Sequence, residues 1–234
     1  VPRVGEALLE LPPPIERRVA RRLNRFVVEL ESGERAYINN TGRLLDLLAP
    51  GRRCYCLPKP SGSTGLRLIA VEGEEGGAAL VDTRFQMAAF ERALELGKLP
   101  WAPCRVERRN PKLGSSTLDY LLECGGERVY AELKSAALRV GRYAAYPDCP
   151  SLRGRRHIAE LAEHARRGGK ALIVFVAAIP GVCAFKPHEE GDPEIPKLLR
   201  RAASAGVTVK SFSLHYEPST STVVLDKPEI PVIL

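Results

Sequence analysis

The sequence predicts two units in one chain, a small β-barrel over residues 12–83 followed by an α/β domain, an α+β/α/β two-domain architecture. Three observations carry that prediction. Short β-prone segments separated by Gly, Pro, Asn and Ser turns recur through the first third of the chain. From residue 84 onward, helical and extended patterns alternate. A length of 234 residues suits one large domain or two small ones, each able to bury a core without staples. The domains are drawn at 1–83 and 84–234.

Leu11-Pro-Pro-Pro14 is a stiff, non-helical opening. Residues 19–30 are ambiguous: Val19, Leu23, Phe26 and Leu30 fit a helix, while Phe26, Val27 and Val28 favour a strand. A turn over 31–34 leads into an extended 35–38, and Asn40-Thr41-Gly42 is a second turn. Segments 53–57, 66–71 and 78–81 read as strands, with a Pro/Ser/Gly loop over 58–65 and a polar turn over 72–77. Beyond them, 85–96 is a helix stopped by Gly97, and 104–108, 116–122 and 128–134 are strands. A helix over 151–167 ends at Gly168-Gly169, 171–178 is a buried strand, and 194–204 and 207–214 are a final helix and strand.

Composition narrows the class. The chain is 44% hydrophobic and 27% charged, with a mean hydropathy of -0.14, which excludes a disordered tail and a collagen-like repeat. No apolar run reaches a membrane-spanning length. The first residues, Val1-Pro2-Arg3-Val4, lack a leader pattern, so the expected compartment is the cytoplasm, with no membrane partner. Gln, Met and Trp occur once each, and Arg (26) far exceeds Lys (9), a balance that fits a heat-adapted source or a GC-rich genome. Six cysteines without a CxxC pair are expected as buried free thiols, with Cys54 and Cys56 on one strand face; a hyperthermophilic source would favour a disulfide.

The net charge is +7 and the pI ≈ 9.2, which points to a polyanionic partner or to a solubilising surface. Residues 101–170 hold 14 basic and 8 acidic side chains, so much of the excess lies in one stretch. A second basic cluster is Arg17, Arg18, Arg21, Arg22 and Arg25.

The chemistry concentrates in residues 116–135. Gly125-Gly126 suits a two-residue hairpin turn, in which both central residues need positive φ. That turn opposes Leu122 to Val129, Tyr120 to Ala131 and Leu118 to Leu133, an apolar face. The other face then opposes Asp119 to Glu132 and Thr117 to Lys134. Two carboxylates about 5 Å apart repel, so one must take a proton or a cation must sit between them. A hard divalent cation, Mg2+ or Mn2+, fits oxygen ligands from Asp119, Glu132 and the Leu133 carbonyl. Two acids, a metal and Lys134 on the same side are the parts of phosphodiester hydrolysis. The bland alternative is an exposed hairpin with a simple Lys134–acid ion pair.

Seven segments of the chain resemble the sugar fermentation stimulation protein (SfsA-like) family. They are Arg25-Phe26-Val27-Val28-Glu29, Asn40-Thr41-Gly42-Arg43, Leu47 to Gly51, Asp82-Thr83, Leu118-Asp119-Tyr120, Tyr130 to Ser135 and the long Tyr146 to His157 segment. The resemblance implies an N-terminal OB-like β-barrel, a PD-(D/E)xK nuclease-like α/β domain, and DNA binding with little sequence specificity, tied to regulation of sugar metabolism. It places Asp119, Glu132 and Lys134 on the nuclease-fold motif. Thr117, Met87 and Cys149 depart from the family pattern.

Nucleic-acid contacts are expected at Arg22, Arg25, Asn40, Thr41 and Arg43 in the first domain, with Phe26, Tyr37 and Tyr55 as available aromatics. Arg153, Arg156 and His157 are the candidates on the helix after the ExK strand. His157, Glu160 and His164 share a face with weak zinc-like spacing. Asp148 is expected as a cap, with a place in the metal shell as the alternative. Glu91, Glu95 and Glu107 border the region as surface acids, and Arg108, Arg109 and Lys112 are further basic candidates. The competing functions are therefore DNA binding through mainly backbone contacts and metal-dependent cleavage of DNA or a structured nucleic acid, with a structural cation site or a protein-binding module as a third reading; the sequence sets no oligomeric state, and a dimer is compatible with it.

Overall fold

The computed structural model describes residues 5–74 and 76–234. Residues 1–4, on which the leader expectation rests, and Glu75 of the polar turn lie outside the described residues. The first part contains β1 (Glu6–Glu10), β2 (Ile15–Asn24), β3 (Val27–Leu30), β4 (Arg35–Ile38), β5 (Arg53–Pro58), β6 (Leu66–Glu72) and β7 (Ala78–Leu80). Then come α1 (Thr83–Glu95), β8 (Cys104–Arg109), β9 (Lys112–Leu113), β10 (Ser116–Thr117), β11 (Tyr120–Cys124) and β12 (Glu127–Ser135). The remainder is β13 (Leu138–Val140), β14 (Tyr143–Tyr146), α2 (Leu152–Arg166), β15 (Lys170–Ala177), β16 (Ala184–Pro187), α3 (Glu194–Ser204), β17 (Thr208–Glu217) and β18 (Thr222–Lys227).

The ambiguous 19–30 segment is a hairpin. β2 and β3 turn at Arg25-Phe26, where the Asn24 side chain accepts the Phe26 N–H at 2.8 Å. Ladder pairing then runs β4–β3–β2–β5–β6 and returns from β6 to β4, closing on itself. Val19, Val28, Leu30, Ile38 and Leu68 point inside, as do Cys54 and Cys56 from one strand face. β7 pairs with both β6 and β17, so the sheet continues into the α/β part.

There, β12, β15 and β17 are parallel, while β11 and β8 extend the edge in antiparallel fashion. β15 is buried on both sides, which is why it reads as one apolar run rather than an alternating one. Ile173 and Phe175 face the core under α2 and α3, and Leu172, Val174 and Val176 face the core under α1. Each such buried side chain contributes about 1.5–3 kcal/mol, so this strand is a rigid platform for its neighbour β12. β13, β14 and β16 form a separate small sheet, and β1 and β18, like this sheet, carry no signal strong enough to have been read from the sequence.

Three expectations are corrected. Cys104 and Cys124 sit directly opposite on β8 and β11 and form a disulfide, whereas Cys54, Cys56, Cys149 and Cys183 are free thiols. The strand expected over 116–122 is broken at Leu118-Asp119, because Asn110 N–H bonds the Asp119 carbonyl and Leu118 N–H bonds the Pro111 carbonyl. Consequently Leu118 packs in the α2-side core, while Leu133 packs against the α1-side core, and Thr117 pairs with Lys112 rather than facing Lys134.

Candidate functional site

The hairpin that carries the acids has the register the Gly-Gly turn dictates. Tyr120 opposes Ala131 and Leu122 opposes Val129, and Gly125 (φ 61) and Gly126 (φ 90) take the left-handed backbone that other residues resist. Where the ladder stops, Asp119 turns toward β12. Its Oδ2 accepts Leu133 N–H at 2.8 Å, and its own N–H donates to Glu132 Oε2 at 3.3 Å. The two carboxylates are thereby locked together by each other's backbone.

Glu132, only 3% exposed, carries most of the pairing. Its Oε1 accepts Lys134 Nζ and His157 Nδ1, each at 2.6 Å. Arg153 Nε donates to His157 Nε2 at 3.3 Å, so Nε2 is the acceptor and Nδ1 carries the proton toward Glu132. α2 supplies both residues one turn apart. Its first turn is fixed by Ser151 Oγ, which accepts Gly154 N–H, and by Asp192, which accepts Ser151 N–H and Arg155 at 2.7–3.1 Å.

Burial pushes the Asp119 carboxyl up to about 6, with Glu132 adding to the rise. Burial also raises Glu132, but Lys134 and His157 outweigh it and hold that carboxyl below its ordinary range. Burial acts to lower Lys134, yet Glu132 outweighs it and keeps the ammonium charged. Only Glu132 is fully compensated. Asp119 remains an acid near a second acid, with no donor on its Oδ1 among the described residues.

These groups form the floor of a cleft of about 580 Å³. Its rim is made by the β2–β3 turn, the 39–42 loop and the start of α2, and includes Arg25, Phe26, Thr41, Leu152 and Arg153. Of the remaining expected contacts, Asn40 lines the cleft, while Arg22, Arg43, Arg156 and His157 do not. The Arg22 guanidinium is occupied by the carbonyls of Asn24, Arg25, Asn40, Gly42 and Arg43, so it shapes the loop instead of facing a ligand. Asn40 is buried, donating to Val81 O and Ser135 Oγ while accepting Gly42 N–H. Arg43 and Arg156 are exposed but lie outside the cleft lining, with Arg156 turned toward Ser116.

Asp148 accepts Leu44 N–H at 2.8 Å, a tie between the two halves of the chain. A Cβ on Gly42 would lie 2.8 Å from that carboxylate, which leaves room for nothing larger. Glu160 bonds Ser115, and His164 packs edge-on to Tyr130, so neither joins His157. Glu91 pairs with Arg109 and Tyr120, and Glu107 with Arg128, away from the floor. Gln86, missed in the sequence, is buried at the cleft and bonds Leu80 O and Ser135 Oγ. A polar residue on the apolar stripe of α1, in line with Ala89, Phe90 and Ala93, was the available signal.

Among the described residues no three His, Cys, Asp or Glu side chains form a ready-made metal cage. Two adjoining carboxylates, one with an unpartnered oxygen and a raised pKa, nonetheless fit a hard cation that takes oxygen ligands. No helix among the described residues is long and apolar enough to cross a membrane.

An OB domain joined to an α/β domain, with an acid-and-lysine cleft where they meet, defines the class of chain. The chain belongs to the sugar fermentation stimulation protein family. Residues 84–220 match the family's sugar fermentation stimulation protein RE domain, and residues 20–81 match its SfsA N-terminal OB domain. A sugar fermentation stimulation protein homolog from Pyrococcus furiosus is 49% identical over 216 residues, covering 91% of this chain and 94% of the relative. The homolog from Archaeoglobus fulgidus is 46% identical over 230 residues, covering 97% and 99%. A solved structure of Pyrococcus furiosus SfsA in complex with Ca2+ superposes with a TM-score of 0.93 at 44% identity, covering 98% of this chain and 100% of that one.

Proposed function

We propose that the chain binds DNA in this cleft with little sequence specificity, and that the floor is a PD-(D/E)xK-type site for divalent-metal-dependent phosphodiester hydrolysis. The carrying observation is the union of Asp119, Glu132 and Lys134 at the base of a cleft edged by Arg25 and Arg153. Arginines at a rim neutralise phosphates without reading bases. The Ca2+ in the related Pyrococcus furiosus structure supports a divalent ion in this family.

Asp119, Glu132 and the Leu133 carbonyl would hold Mg2+ or Mn2+. When bound, such an ion polarises the phosphate and lowers the pKa of a coordinated water. Lys134 sits where its ammonium offsets charge growing on the phosphoryl oxygens. His157 fixes one oxygen of Glu132 and so orients the other toward Asp119. Arg153 in turn fixes the His157 tautomer.

The test is a cleavage panel of single-stranded, duplex and branched DNA with Mg2+, Mn2+ or EDTA. Metal-dependent products from the wild type, absent in Asp119→Asn, are expected. A second reading, binding without cleavage, is favoured by Lys134 and His157 both occupying Glu132 Oε1, which leaves that carboxylate satisfied by protein alone. Salt-sensitive DNA binding with no cleavage of any form would select it.

A further inference from the structure

We propose that this cleft takes DNA as a single strand, with Phe26 as a stacking platform for an unpaired base and Leu152 as the apolar wall near it; this rests on the reading of the cleft as a DNA site. Phe26 is 48% exposed and Leu152 is 76% exposed, and both line the cleft. Each is next in sequence to a cation on the same rim: Arg25 precedes Phe26 at the β2–β3 turn, and Arg153 follows Leu152 on α2. An apolar side chain beside a cation, repeated from two separate elements, matches a nucleotide, which offers a flat apolar base and an anionic phosphate. No acidic side chain pairs with Arg25 or Arg153 among the described residues; Arg153 Nε is held by His157, and its exposed terminal nitrogens and the Arg25 guanidinium are open to phosphate.

The platform is held in place before any ligand arrives. Asn24 grips the Phe26 N–H, and the Arg22 guanidinium binds carbonyls on both the turn and the 40–43 loop. Asn40 then ties that loop to Ser135, the residue after Lys134 on β12. Stacking surface and floor are thus one preorganised unit.

Paired bases bury their faces in the helical stack and leave nothing for Phe26 to cover. A space of about 580 Å³ is the size that encloses one or two nucleotides. Sites that must reach one nucleotide in an enclosed cleft act on single strands or draw the nucleotide out of the stack.

The experiment is fluorescence anisotropy of the full chain with a labelled 12-mer of dT and with a duplex of equal length, in Ca2+ at fixed salt. The wild type is expected to bind the single strand at least about tenfold more tightly. Phe26→Ala is expected to weaken single-strand binding about tenfold, Phe26→Trp to retain it, and Leu152→Ala to weaken it several-fold, with duplex binding unmoved. Circular dichroism checks that these exposed substitutions leave the fold intact. Equal affinity for both forms, or an unaffected Phe26→Ala, overturns this inference while leaving the DNA reading standing. Binding of neither form overturns both.

Discussion

The floor and the rim of the cleft handle charge in opposite ways. On the floor, Glu132 and His157 are buried, Lys134 is mostly so, and they satisfy one another at 2.6 Å, with Asp119 held beside them by backbone. On the rim, Arg25 and Arg153 stay exposed beside Phe26 and Leu152, while Arg22 and Asn40 are taken up in shaping the loop that presents them. A buried set of charges has fixed geometry and low local dielectric, conditions for chemistry. An exposed set of cations and apolar faces gives salt-sensitive, adaptable grip. The two regions should therefore separate under mutation.

The largest separation is expected from Asp119→Asn. It should lower metal-dependent cleavage at least about 100-fold while leaving single-strand affinity within about twofold, measured by gel assay and anisotropy. Parallel loss of both would merge floor and rim into one function. Arg25→Ala and Arg153→Ala should each weaken binding several-fold and reduce the slope of log affinity against log salt by about 1, without changing which metal supports cleavage.

Stability gives a sharper contrast within the floor. The Asp119 carboxyl is raised from its unfolded value near 3.9 to about 6, so its ionisation opposes folding above pH 6 and that opposition disappears once pH falls below about 4. Asp119→Asn should then be more stable than wild type at pH 7.5 by about 2 kcal/mol, with the gap closing at pH 4, as read by urea denaturation. Glu132 has the opposite sign. Its lowered pKa stabilises the fold above the unfolded value near 4.3, and that contribution is lost as pH falls through the folded value. His157→Ala, which removes one of its partners, should lower stability at neutral pH by about 1–3 kcal/mol.

The smallest effect on the cleft's activities is expected from reducing the Cys104–Cys124 disulfide, whose cysteines do not line it. Its 20-residue separation gives about 3 kcal/mol of global stability, but it should leave cleavage and binding unchanged.

The sequence carried the floor further than the rim. Gly125-Gly126 sets the pairing by a local rule, and the alternation of Tyr120, Leu122, Val129 and Ala131 confirms it. The rule fails at Leu118 because hydrogen bonds from Asn110 and to Pro111 pull the strand away, a non-local competition that no alternating pattern encodes. The bond from His157 to Glu132 spans 25 residues, and the Cys104–Cys124 pairing depends on which strands become neighbours. On the rim, Arg22 and Phe26 were legible as residue types but not as roles. The arginine is enclosed by loop carbonyls and the phenylalanine is turned outward, which reverses what charge and hydrophobicity alone suggest.

The central claim is that Asp119 and Glu132 together hold one divalent cation. Calorimetric titration of the metal-free chain with Mn2+ tests it directly. One ion per wild-type chain, with that uptake lost in Asp119→Asn, is the predicted result; equal uptake by both proteins, or none by the wild type, would contradict it.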